Sequence, residues 1–106
     1  MTDSTKSAFD PQKAPRFTEI LTFMRCPLSD DPRQVDIALI GVPYDGGVTN
    51  RPGARHGPRE IRNSSTLMRT IHHVTRFNPF EACRVADLGD VRFSSMFDPV
   101  IVVEEI

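Results

Sequence analysis

No apolar run in these 106 residues approaches the roughly 20 that a membrane-crossing helix needs. The opening, M-T-D-S-T-K-S-A-F-D, lacks the apolar core of a secretory signal. A marked excess of either charge is absent too. The formal net charge is -1, where a general nucleic-acid binder carries a clear basic excess. Cysteine is scarce: Cys26 and Cys83 lie far apart without C-x-x-C spacing, which signals neither a zinc site nor a disulfide framework. A reducing, cytoplasmic setting is expected, with no membrane and no nucleic acid among the partners. The phosphate-cradling patterns G-x-x-x-x-G-K-[ST] and G-x-G-x-x-G are absent, as is the helical metal motif H-E-x-x-H. His72 and His73 are adjacent, so on a helix they point about 100° apart and do not readily share a metal.

What is present suits one small globular domain, with 39% apolar and 25% charged residues. Residues 1–15 are polar, with two prolines, and are expected to form a flexible or surface-hugging arm. Phe17, Ile20, Leu21 and Met24 then recur as one face of a short helix. Pro27 and the S-D-D-P turn stop it. So dense a patch has to be covered, by the body of its own subunit or by a neighbour. The chain therefore divides into an arm over 1–34 and an α/β portion over 35–106.

Val35 to Val42, V-D-I-A-L-I-G-V, reads as a strand with the near-continuous apolarity of a buried parallel strand. Pro43, with no N–H for a ladder, ends it. A helix opens at Gly57-Pro58, with Gly57 placed to cap and Pro58 at the first helical position. Ile61, Met68 and Ile71 mark its broad face, and it is expected to run to His72 or His73. Val74 to Glu81 reads as a crossover loop and Arg84 to Leu88 as a second, parallel strand. Gly89 and Asp90 are expected just beyond its end. Asp98-Pro99 opens a further helix over V-I-V-V-E-E-I. Two strands with these helices cannot cover both faces of a sheet, so the segment reads as the start of a larger α/β domain.

The stretch that organises the chain is Ile40 to Arg62, a strand end, a Gly- and Pro-rich loop and a helix start. Loops leaving the carboxyl ends of parallel strands are where ligands gather in open α/β sheets. This one sets Asp45 against Arg51, Arg55 and His56. It reads either as an anion cradle at a helix start or as a structural loop whose Asp45 and arginines pair. Asp87 and Asp90, in D-L-G-D, offer metal ligands or an acid–base pair, against the plainer role of accepting backbone N–H bonds. The plainer role is favoured, since no histidine or third carboxylate lies nearby in sequence. His56 stands alone and reads as a loop hydrogen-bonder. No complete metal site or nucleophile triad is present.

The run G-V-P-Y-D-G-G-V-T-N-R-P-G-A-R-H-G-P-R-E-I-R-N-S-S-T-L-M-R, with R-V-A-D-L-G-D-V downstream, resembles the amino-terminal part of the ureohydrolases. This family comprises agmatinase, guanidinobutyrase, guanidinopropionase and arginase enzymes. The chain looks most like the agmatinase-type branch. T-N-R-P-G-A-R-H-G-P-R-E-I-R, L-M-R-T-I-H-H-V and P-R-F-T-E-I-L-T-F-M-R lean toward guanidinopropionase. The resemblance implies a three-layer α/β/α sandwich with a central parallel sheet, here as its first βαβ portion. It further implies hydrolysis of a guanidino group to urea and an amine at two Mn²⁺ ions, whose bridging hydroxide attacks the guanidinium carbon. The substrate would be small and linear: guanidinopropionate, guanidinobutyrate or agmatine. The family's ligand motifs, G-G-D-H, D-A-H-x-D and S-x-D-x-D, do not occur here. The expectation is that they lie beyond Ile106, leaving no catalytic or metal residue in this chain and no turnover by it alone. Its contribution would be the pocket rim, formed by Asp45, Asn50, Arg51, Arg55 and His56. The resemblance also suggests a homo-oligomer, trimer or hexamer.

Two other readings stay open. One is a non-catalytic module docking on ureohydrolase subunits through the Phe17–Met24 patch and an edge strand. The other is a nucleotide-binding α/β protein using the Gly41–Arg62 loop.

Overall fold

The computed structural model describes residues 15–106; the arm expected over 1–15 lies, up to residue 14, outside them. Strand β1 (Ile37–Gly41) and strand β2 (Val85–Asp90) pair in parallel. Ile37 stands opposite Val85, Ala38 opposite Ala86 and Leu39 opposite Asp87. The register slips between Leu39 and Gly41, so that Gly41 faces Asp90. Helix α1 (Gly57–Ser65) and the short helix α2 (Pro79–Ala82) lie in the crossover, and α3 (Pro99–Glu105) follows β2. Asn78 and Asp98 cap α2 and α3, each accepting from the N–H two residues on, with Pro at the first helical position.

The core sits around β2. Val85, Ala86 and Asp87 are all buried, because β2 has neighbours on both edges. Beside β1 on one side, residues 27–29 run along the other: the Asp87 N–H donates to the Pro27 carbonyl at 2.9 Å, and the Ser29 N–H to the Asp87 carbonyl at 3.0 Å. Leu28 and Asp87 form a parallel bridge. Strand β1 is the less covered one. Ile40 is 58% exposed and Ile37 is exposed as well, which corrects the fully buried strand expected from composition. Among the described residues β1 has one strand neighbour, so its apolar side chains have little to pack against. Val102 of α3 is fully buried, whereas Val100 and Val103 beside it are exposed.

Three expectations about helices are corrected. The arm holds no helix through Phe17, Ile20, Leu21 and Met24. Glu19, Met24 and Arg25 all have positive φ, between 49° and 73°, a region that breaks a right-handed helix. Only a 3₁₀ turn forms, over Phe23–Arg25. Cys26 precedes Pro27 and is extended, as the proline ring requires of its neighbour. Second, α1 stops at Ser65 rather than near His72 or His73. The Ser65 and Thr66 hydroxyls donate back to the Arg62 and Asn63 carbonyls. The carbonyls that would continue the helix go to arginines of the arm: Arg25 takes Thr66 and Met68, and Arg16 takes Leu67. Third, Gly57 is the first residue of α1 and not its cap, because a 3₁₀ turn over Ala54–His56 leads straight into it. The expected helix face is also open: Ile61, Met68 and Ile71 are exposed.

Burial has a chemical consequence at Cys26. Loss of water, followed by the nearby Asp87 charge, pushes its thiol up to about 11. At pH 8 only roughly one thiol in a thousand would be the reactive thiolate. Cys83 is more open. Iodoacetamide at pH 8 is therefore expected to alkylate Cys83 at least tenfold faster than Cys26, as followed by peptide mass spectrometry. Equal rates would contradict a closed arm.

Candidate functional site

The loop leaving β1 is built on one carboxylate. Asp45 is buried and accepts three hydrogen bonds from a single short stretch. These come from the Gly53 N–H at 2.7 Å, the Arg55 N–H at 3.2 Å and Arg55 Nε at 2.8 Å, and Arg55 Nη2 closes an ion pair with it at 2.7 Å. Gly53 has φ 146°, where a side chain would be strained, and this turns its N–H toward Asp45. The Arg55 fork, then the two backbone donors, hold the Asp45 carboxyl well below the usual range despite its burial, and Asp45 raises Arg55 in return. At the loop's root Tyr44 packs against Phe93, with ring centroids 5.8 Å apart. The loop is a closed ring of chain, not a floppy connector.

That closure sorts the five rim residues. Asp45 and Arg55 are brought together and satisfy each other. Asn50, Arg51 and His56 remain exposed, and their side chains have no polar partner among the described residues. The structural-loop reading thus describes Asp45 and Arg55, while Arg51 is exposed to solvent.

A second cluster lies where α1 meets the end of β2. Arg62 Nε and Nη2 grip the two Asp87 oxygens at 2.8 and 3.0 Å. Its Nη1 reaches Asp90 at 2.7 Å and Nη2 also reaches the Gly89 carbonyl at 3.0 Å. Asp87 further accepts from the Phe23 N–H at 2.9 Å and the Gly89 N–H at 2.8 Å. Its side chain is 1% exposed and that of Arg62 is 13% exposed. Burial pushes the Asp87 carboxyl up, but Arg62 and the two N–H donors outweigh it and leave it below the ordinary value. Arg62 is raised by the same contacts. Asp87 therefore has the plainer of its two roles: it accepts hydrogen bonds and joins arm, helix and strand. Gly89 and Asp90, expected past the strand, are its last two residues.

Sequence reading gives Arg62 no role beyond ending the Ile40–Arg62 stretch, and so misses it. The available signal was Asp87 itself, a carboxylate inside an apolar strand, which needs a buried cation or several N–H donors. Among the described residues no three His, Cys, Asp or Glu side chains come together to hold a metal ion, and Arg62 occupies both Asp87 and Asp90. The manganese implied by the resemblance has no seat on these residues.

The sequence pattern of the arginase family matches residues 35–106. Guanidinopropionase of Pseudomonas aeruginosa is 54% identical over 90 residues, covering 85% of this chain and 28% of that protein. The mitochondrial guanidino acid hydrolase of Homo sapiens is 46% identical over 81 residues, covering 76% of this chain and 23% of that protein. The solved structure of proclavaminate amidino hydrolase from Streptomyces clavuligerus superposes with a TM-score of 0.81 at 39% identity, over 87% of this chain and 31% of that one. The chain thus spans less than a third of each of these relatives. Its parallel strands and crossover are the first βαβ portion of their α/β fold. With the family pattern running from the start of β1 to Ile106, this chain belongs to the arginase family.

Proposed function

We infer that this chain is the rim-forming, amino-terminal portion of a ureohydrolase that releases urea from a small guanidino acid. The observation that carries the reading is the closed 43–56 loop at the carboxyl end of β1, which leaves Arg51 outward and unpaired. Arg51 is suited to the carboxylate of guanidinopropionate or guanidinobutyrate, because a guanidinium fork meets a carboxylate with two parallel hydrogen bonds. Agmatine ends in an ammonium, which would need an acid, and Asp45 is already taken by Arg55. The names of the relatives support the substrate class. The two manganese ions that the family resemblance implies would be held by residues outside those described here. There they would supply the activated water for attack on the guanidinium carbon.

The test is a chimera in which this chain replaces the matching segment of the Pseudomonas aeruginosa guanidinopropionase. With manganese it is expected to release urea from guanidinopropionate, while the 106-residue chain alone releases none. In the chimera, Arg51→Ala should raise KM at least tenfold for guanidino acids and less than twofold for agmatine. A folded but inert chimera, or equal KM effects on both substrate types, would remove the reading.

A further inference from the structure

At the opposite end of the strands from the 43–56 loop lies a cavity of about 940 Å³, walled by the arm, the segment after α1, α2 and the start of β2. Its lining is electrically one-sided. Arg16, Arg25, Arg69, Arg76 and Arg84 all face it, against one carboxylate, Glu81, in a chain whose net charge is -1. Arg84 is matched by Asp36 at 3.1 Å. Arg16 and Arg25 donate to backbone carbonyls, which fixes their position. Burial and then the neighbouring Arg16 charge lower Arg25 from its usual value, a sign that the cations feel one another. Arg69 and Arg76 are exposed and their side chains have no polar partner among the described residues.

Like charges gathered in a concave, partly apolar wall focus the field and raise the local concentration of anions. Separate arginine forks spread around one cavity suit a ligand with several anionic groups better than a single carboxylate. The volume lies at the upper end of the range for small-molecule sites. Phe80 forms part of the lining. We propose that this arginine cavity binds a multivalent small anion of the polyphosphate type, with Arg69 and Arg76 as its principal charge partners. Nothing in this assignment depends on the guanidino chemistry of the other loop.

The experiment is calorimetric titration of the chain with inorganic tripolyphosphate, and with orthophosphate for comparison. Saturable binding of tripolyphosphate is expected, at least tenfold tighter than orthophosphate and weakening as salt rises. The R69A/R76A double variant should lose at least tenfold in affinity, and R69K/R76K should lose less. Arg59→Ala, on an arginine outside the cavity, should leave binding within twofold. Both changed positions are exposed, and circular dichroism of each variant checks that the fold is kept. Absence of saturable binding by the folded chain would overturn the proposal, as would an equal loss in Arg59→Ala. Tighter binding of an oligoglutamate peptide than of tripolyphosphate would overturn it in favour of an acidic polypeptide.

Discussion

Replacing Arg62 with alanine is expected to cost about 3–5 kcal/mol, since it strands a buried carboxylate. Small domains are stable by only about 5–15 kcal/mol in total. Asp87 would lose both of its Arg62 contacts and keep only the Phe23 and Gly89 N–H donors. Urea unfolding followed by circular dichroism should show the midpoint collapse. The companion variant Asp87→Asn should cost less, because it strands no buried carboxylate and Asp90 still pairs with Arg62. Its one oxygen can accept from only one of the Phe23 and Gly89 N–H groups, which now use different carboxylate oxygens. If Arg62→Ala cost under 1 kcal/mol, the cluster would be a surface pair in all but appearance. The pH dependence has a definite sign. Asp87 is depressed in the fold, so its contribution is present above the ordinary aspartate range and is lost as pH falls through the lowered folded value.

Gly41→Ala is the second large effect. A Cβ placed on Gly41 would overlap the Asp90 carboxylate oxygen and stand 2.9 Å from the Pro58 Cβ. The first contact falls on a partner of Arg62, the second on the first turn of α1. Overpacking of this kind costs about 1–3 kcal/mol. The value should lie at the upper end, since proline cannot rotate away. A double-mutant cycle separates the two clashes. Asp90→Ala in the Gly41→Ala background should recover part of the loss, whereas additive losses would mean that Pro58 alone sets the limit.

How much of this was legible beforehand depends on what each residue needs. The two strands, the Gly57-Pro58 helix start and the Asp98-Pro99 cap follow from local chemistry, and they stand within two residues of expectation. The arm was misread because a helical spacing of Phe17, Ile20, Leu21 and Met24 says nothing of the carbonyls that Arg16 and Arg25 seek. The same capture shortened α1. Both errors come from contacts between residues some 40 to 50 positions apart, which a window of one or two turns does not contain. The site was half legible. Composition pointed to the 43–56 loop, and the pairing of Asp45 with an arginine was anticipated. Which arginine, and therefore which one stays free, required the turn at Gly53.

The position of Asp87 also sets an order of events. The arm's Phe23 N–H closes on a carboxylate 64 residues further along the chain, and residues 27–29 align only against β2. Pairings so distant in sequence close slowly, because the intervening chain must give up its freedom before any contact rewards it. Phe23 and residues 27–29 are therefore synthesised well before the group that gathers them. The apolar arm is then a waiting segment until Asp87 appears.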